Sequence, residues 1–213
     1  HFNCFKKSYK CLKIMINISN IIDDIPHTVF RNYFERAIEN NQKNIEAISI
    51  SSYNIDLNEV ESRMVNLKYI KNNEWIFFSN YDSLKARNFS SHDQISSLFF
   101  WESINVQVRI KARIFKTAPR LSDKHYKSRT VKKNALACSS KQSQRIDSYD
   151  TVIKNYNLML EDISKIENRP SNWGGFSFIP YYFEFWEGHE SRLNKRDVYE
   201  MKSNEWLYSI LEP

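Results

Sequence analysis

Any phosphate this chain binds must be held by side chains. The sequence contains only three glycines, Gly174, Gly175 and Gly188, and loops that cradle phosphate with backbone N–H groups need more of them at fixed spacing. Neither a dinucleotide-binding fingerprint nor a P-loop can be written with this set, which leaves Arg, Lys, Ser and Gln as donors. Metal chemistry has little to work with. The three cysteines, Cys4, Cys11 and Cys138, form no C-x-x-C pair, which argues against a zinc knuckle and a disulfide framework. The stretch richest in chemistry lies near the C-terminus, where Trp173-Gly174-Gly175-Phe176 is followed by Glu184-Phe185-Trp186-Glu187-Gly188 and Arg192-Leu193-Asn194-Lys195-Arg196. It holds every glycine of the chain, which suggests backbone geometry that no other residue could supply.

Strands and short helices must position these groups. Hydrophobic spacing predicts an amphipathic helix over His27–Asn40, through Val29, Phe30, Tyr33, Phe34, Ala37 and Ile38, with Pro26 at its start. Strands are expected at Ala47–Ser52, Ser62–Ile70 and Trp75–Ser79, with a turn at Lys71-Asn72-Asn73-Glu74. A short helix at Asp82–Phe89 precedes strands at Gln94–Trp101 and Val106–Phe115. The last alternates cleanly: Val106, Val108, Ile110, Ala112 and Ile114 face one way, and Gln107, Arg109, Lys111 and Arg113 face the other. That pattern predicts a half-buried strand with a solvated basic face. Ser122 should cap a helix over Ser122–Arg129. Thr130–Ser148 reads as irregular and Tyr149–Glu167 as a longer helix. Phe176–Ile179, Tyr182–Trp186, Arg196–Glu200 and Trp206–Leu211 complete the strands. About six to eight strands joined mostly by hairpins, with helices at the edges, predict a mainly β (α+β) fold built on an antiparallel sheet or barrel.

The length of 213 residues suits one domain, expected over residues 26–213, with residues 1–25 as a mobile N-terminal arm. The net charge of +6 favours anionic partners without choosing among them. No nucleic-acid-binding motif is apparent. The apolar run from Ile14 to Ile25 is interrupted by Asn17, Asn20, Asp23 and Asp24. Nowhere is there an apolar stretch of the roughly 18 residues that a bilayer requires. Neither nucleic acid nor membrane is therefore expected as a partner. Unpaired cysteines fit a reducing, cytoplasmic setting. The sequence opens on His1 rather than Met.

Trp173-Gly174-Gly175-Phe176 followed by Glu184-Phe185-Trp186-x-Gly188 and Arg192-Leu193-x-x-Arg196 resembles the C-terminal signature of pyridoxamine 5′-phosphate oxidases. Further stretches match in the family's order: Arg63-Met64-Val65-Asn66-Leu67-Lys68, Phe78-Ser79-Asn80, Ser83-Leu84-Lys85-Ala86, Gln107, Ser128-Arg129 and Ser140-Lys141-Gln142-Ser143. The resemblance runs from about residue 28 to Pro213. It implies a split β-barrel with peripheral helices, a homodimer with FMN at the subunit interface, and oxidation of pyridoxamine or pyridoxine 5′-phosphate to pyridoxal 5′-phosphate, with dioxygen as acceptor and hydrogen peroxide as by-product. Carried over residue by residue, it implies that Arg63, Ser79 and Lys85 hold the FMN phosphate, with Gln142 and Ser143 contributed by the partner subunit. Met64, Val65, Asn66, Lys68 and Phe78 would flank the cofactor, and Gln107, Trp186 and Arg196 would complete its polar and stacking contacts. Lys68 and Arg129 would bind the substrate phosphate, and Arg192 would be the catalytic residue beside the carbon that is oxidised.

Leu84, His125, Lys133 and Asn194 depart from the family pattern, where arginine, tyrosine, serine and histidine are usual. No role is carried onto them, although Lys133 is a chemically good phosphate partner. Two other readings stay open: a related FMN enzyme acting on another aromatic substrate of phenazine type, and a non-catalytic flavin- or pyridoxal-phosphate-binding protein.

Overall fold

A computed structural model describes residues 16–213. Its strands are β1 (Asn17–Ile21), β2 (Ala47–Asn54), β3 (Glu59–Asn66), β4 (Tyr69–Asn72), β5 (Glu74–Asn80), β6 (Gln94–Trp101), β7 (Val106–Lys116), β8 (Trp173–Glu187), β9 (Lys195–Lys202) and β10 (Glu205–Ile210). The helices are α1 (Ile25–Glu39), α2 (Leu84–Ser91), α3 (Pro119–Ser128), α4 (Val131–Ser139) and α5 (Tyr149–Glu161). All ten strands join one sheet, in the order β1-β4-β5-β8-β7-β6-β2-β3, with the β9–β10 hairpin attached to β8. The pairs are antiparallel except β1 with β4.

Alternation drives the curl. Ile48 and Ile50 on β2, near one end of the strand order, share a single buried cluster with Ile70 on β4 near the other end. The sheet therefore wraps around its apolar face, as a barrel does. Helix α1 plugs this core through Phe30, Phe34 and Ala37, and the Phe30 ring packs edge-on against Trp75 at 4.5 Å. Asp24 caps α1 by accepting from the His27 N–H at 3.0 Å. Helices α3 and α4 build a smaller cluster, from Tyr126, Ala137 and Trp173, against the opposite face of β5 and β8.

Several expectations change. Residues 16–25, assigned to the mobile arm, supply strand β1 and the start of α1; residues 1–15 of that arm lie outside the described residues. The strand expected over Ser62–Ile70 breaks at Leu67 and Lys68. There the Leu67 N–H donates to Glu46 O while the Lys68 N–H donates to Ile76 O, so the chain changes partner from β2 to β5. The two strands expected at Phe176–Ile179 and Tyr182–Trp186 are one, β8. Tyr181 bulges out of the β7 register beside Pro180, which lacks a ladder donor. This bulge lets one edge of β8 pair first with β5 and then with β9. Thr130–Ser148 is not all irregular. Thr130 caps α4, whose small residues Ala135 and Ala137 pack inward. Ser122 caps nothing: it is fully buried inside α3 and accepts from the Gly175 N–H at 3.0 Å. The expected Tyr149–Glu167 helix ends at Glu161, and a separate 3₁₀ turn, Ile163–Ile166, follows.

The glycines also serve a different purpose from the one expected, because none has a positive φ. They allow close approach: a Cβ on Gly174 would overlap the Tyr81 ring, and one on Gly175 would overlap Thr117. Left-handed turns fall to asparagine instead, at Asn41, Asn44, Asn58, Asn72, Asn105 and Asn204, the residue other than glycine that tolerates that region best.

Candidate active site

Arg63 and Lys85 form the first anion-seeking group. Arg63 sits on β3 on the same face as the β2 core residues opposite it. Its Nη1 donates to Ser52 Oγ at 2.8 Å and to Ile50 O at 3.1 Å. Lys85 lies in the first turn of α2 and donates from Nζ to Ser79 Oγ at 3.1 Å. Ser79 in turn donates to Gln142 Oε1 at 3.4 Å, and the Leu84 N–H donates to Ser143 Oγ at 3.4 Å. Burial holds the Lys85 ammonium below its usual range, and the nearby Arg63 charge pushes in the same direction. Two half-buried cations that repel each other make a receptive place for an anion. Gln142 and Ser143, which the family pattern assigns to the partner subunit, also meet Ser79 and Leu84 of their own chain. Ser143 adopts φ 70°, a strained choice for serine.

The second group adjoins the first. A cavity of about 210 Å³ is lined by Phe78, Ser79, Arg129, Lys133, Gln142 and Trp173, among others. Its aromatic wall is a stack: the Phe78 ring lies 3.8 Å from His125 and 5.4 Å from Trp173, nearly parallel to both. The Arg129 guanidinium covers the Trp173 ring at 4.2 Å and donates from Nη2 to Lys133 O at 2.9 Å. Among the described residues its Nη1 is buried with no partner, an orphan donor that calls for an acceptor. Lys68 stands 3.9 Å from Glu46, and burial lowers its pKa.

Two departures from the family pattern, His125 and Lys133, belong to this cluster. Burial first, then the charges of Arg129, Lys68 and Lys133, hold His125 down to about 4. The imidazole is thus neutral at physiological pH, with its Nδ1 2.8 Å from the Tyr69 hydroxyl. In the unfolded chain the same ring takes a proton near pH 6.5. Stability is therefore complete above about pH 6.5 and declines as pH falls towards about 4, by on the order of 2 kcal/mol. His125→Tyr should remove that part of the pH dependence, and denaturant titrations of both proteins across this window check it.

A third group sits apart. Gln107, Trp186 and Arg196 are directly paired across β7, β8 and β9, so their side chains form a row on the outer face, with the half-exposed Phe100 at its β6 end. Arg196 is clamped to the buried Glu184 by Nε at 3.0 Å and Nη2 at 2.8 Å, and reaches Glu212 O from Nη1 at 2.9 Å. Arg109 also pairs with Glu184, at 2.9 Å, and Lys111 covers the Tyr182 ring, so the basic face of β7 is partnered rather than merely solvated. Met64 and Asn66 also point outward from β3, with Met64 63% exposed, whereas Val65 packs on the core. Arg192 is exposed in the β8–β9 turn at φ 60°. The departure Asn194 stabilises that turn, accepting from the His189 N–H at 3.0 Å. Among the described residues, no hydrogen bond or ion pair joins this row or Arg192 to the Arg63 and Arg129 groups.

Ser52, Glu61 and Asn88 were not foreseen. The Asn88 amide is buried and donates to Ser52 Oγ at 3.2 Å and to Glu61 Oε2 at 2.5 Å. The signal for Ser52 and Glu61 is a polar residue at positions of β2 and β3 whose alternation faces inward; Asn88 lies on α2 and carries no such signal.

Comparison with known proteins gives the fold and the family. The family model described as the pyridoxine 5′-phosphate oxidase C-terminal dimerisation region matches residues 173–213. A pyridoxine/pyridoxamine 5′-phosphate oxidase of Legionella pneumophila (strain Lens) is 32% identical over 189 residues, covering 88% of this chain and 87% of that protein. The crystal structure of PhzG from Burkholderia lata 383, in complex with tetrahydrophenazine-1-carboxylic acid, superposes with a TM-score of 0.83 at 22% identity, over 90% of this chain and 99% of that one. A pyridoxamine 5′-phosphate oxidase-related, FMN binding protein from Nostoc punctiforme PCC 73102 follows at 0.73 and 11%, with the same coverages of 90% and 99%. The two structures carry the fold, an FMN-binding split barrel. The sequence relationship, spread over nearly the whole length and through both cationic groups, carries the family: this chain belongs to the pyridoxine/pyridoxamine 5′-phosphate oxidases.

Proposed function

We propose that this protein is an FMN-dependent oxidase that converts pyridoxine or pyridoxamine 5′-phosphate to pyridoxal 5′-phosphate, with dioxygen as acceptor and hydrogen peroxide as by-product. The observation that carries this reading is the pair of adjoining cationic groups, Arg63 with Lys85 and Arg129 with Lys68 and Lys133, which meet at Ser79 and Gln142. Cofactor and substrate are both phosphate esters, and each finds its own cluster. The donor set fits FMN: two cations, two hydroxyls and an amide suit a phosphate dianion where no glycine loop exists. Bound FMN supplies the redox chemistry; the protein binds, orients and excludes water.

Arg63, Lys85, Ser79, Gln142 and Ser143 hold the FMN phosphate. Met64, Val65, Asn66, Lys68 and Phe78 flank the ring, and Lys68 and Arg129 anchor the substrate phosphate. Gln107, Trp186, Arg196 and Arg192, separated from these groups within one chain, complete the site across the interface of a homodimer. The matched dimerisation region supports that assembly. The Cys138 thiol, free among the described residues, fits a reducing cytoplasmic setting, and no helix among the described residues is long and apolar enough to cross a membrane.

The test is turnover. The FMN-loaded protein, given pyridoxine 5′-phosphate in air, should yield pyridoxal 5′-phosphate and hydrogen peroxide in equal amounts. Bound flavin with no product from either phosphorylated vitamer would overturn the assignment.

A further inference from the structure

The Arg63 guanidinium already has an anion beside it. Glu61 and Arg63 are two apart on β3, so their side chains share a face, and they lie opposite Ser52 and Ile50 of β2. Nη1 of Arg63 is committed to Ser52 Oγ and Ile50 O. The other terminal nitrogen, Nη2, lies 3.5 Å from Glu61 Oε2. The same oxygen accepts from the buried Asn88 amide at 2.5 Å. Both members of the ion pair are largely sheltered, with side-chain exposures of 18% for Arg63 and 24% for Glu61. This is not a loose surface pair.

We propose that Glu61 is a built-in competitor for the flavin phosphate: a stand-in anion that holds Arg63 in the ligand-free protein and lowers its affinity for FMN. The inference rests on the FMN reading above and adds a residue to it. A phosphate arriving at Nη2 and Lys85 meets a carboxylate of like charge. If Glu61 swings away, Asn88 loses an acceptor in a buried place, which also costs binding free energy. If Glu61 stays, the two anions repel at short range in a partly desolvated site. Either way the carboxylate opposes the cofactor, while it stabilises the Arg63 cation before FMN arrives.

Glu61→Gln separates these effects, because the amide oxygen can still accept from Asn88 while the charge is gone. Two measurements are made on wild type, Glu61→Gln and Arg63→Gln: FMN affinity by fluorescence titration of the FMN-free protein, and thermal midpoint without FMN. Glu61→Gln should bind FMN about tenfold more tightly and melt at a lower temperature without it. Opposite signs in the two readouts are what a merely structural residue would not give. Unchanged or weaker FMN affinity in Glu61→Gln, alongside a clear loss in Arg63→Gln, would overturn the role of Glu61 and leave the FMN site standing. Unchanged affinity in Arg63→Gln would instead remove the phosphate site, and this inference with it.

Discussion

Arg63→Gln is expected to weaken FMN binding by about 50-fold, on the order of two charge-assisted hydrogen bonds. The wild-type guanidinium is held by Ser52 Oγ and Ile50 O on one side, so it meets a phosphate without first being ordered. That pre-organisation is worth affinity because little side-chain entropy remains to be lost. Glutamine can replace one of the inner hydrogen bonds but carries no charge. It also leaves Lys85 facing the phosphate with only Ser79 and the Gln142 loop for support. The FMN dissociation constant is the readout. The thermal midpoint of the cofactor-free protein serves as a control, and a modest fall there reflects the lost contacts to β2. An FMN affinity within twofold of wild type would mean that the phosphate is held elsewhere.

Arg192→Ala is expected to leave flavin binding intact while lowering kcat by about 100-fold, the scale of losing one positioned charge at a reacting centre. Arg192 contributes nothing to its own chain's core. It is exposed, and its φ of 60° places it in a conformation that a non-glycine residue holds only where its surroundings demand it. The turn is fixed by Asn194 Oδ1 accepting from the His189 N–H and by the Arg192 N–H donating to His189 O, so the backbone rather than the guanidinium carries the turn. Removing the guanidinium should therefore cost turnover and little stability. Arg192→Lys, which keeps the charge but loses the planar fork, should fall between the two. A wild-type rate in Arg192→Ala would remove this residue from the chemistry.

Much of this arrangement can be read from side-chain periodicity. The alternation of Val106 to Ile114 predicts β7 and its buried face, and the spacing of Phe30, Phe34 and Ala37 predicts the stripe by which α1 plugs the barrel. What periodicity misses is non-local. Pro180 signals an interruption beside Tyr181, but nothing there says that β8 continues through a bulge and changes partner, because the second partner, β9, lies beyond a turn. Helix α4 is hidden because its buried face is built from Ala135, Ala137 and Asn134 rather than from large apolar residues. Ser122 reads as a cap because serine at a helix start usually is one; its actual partner, the Gly175 amide, is 53 residues away. The glycines mislead in the same manner. Their clustering suggests left-handed backbone, whereas Tyr81 and Thr117 press against the Cα atoms of Gly174 and Gly175.

The candidate site shows the same division. The residues implied by the family pattern fall into two adjoining cationic groups and one separate row. The contacts of Gln142 and Ser143 with Ser79 and Leu84, together with those among Ser52, Glu61, Arg63 and Asn88, become visible only once the strands and α2 are brought together. The departures resolve differently from one another. His125 and Lys133 join the Arg129 cluster, and Asn194 becomes a turn support. Leu84 keeps only a backbone contribution, its N–H to Ser143.

Side chains of this protein are expected to grip the phosphate of a flavin. Titrating the cofactor-free protein with FMN and, in parallel, with riboflavin tests it most directly, since the two ligands share the ring and differ in the phosphate. FMN should saturate at one equivalent per chain and bind at least about 100-fold more tightly than riboflavin, the worth of a phosphate held by two cations and their hydrogen-bonding neighbours. Equal affinity for the two ligands, or no uptake of FMN in excess, would contradict it.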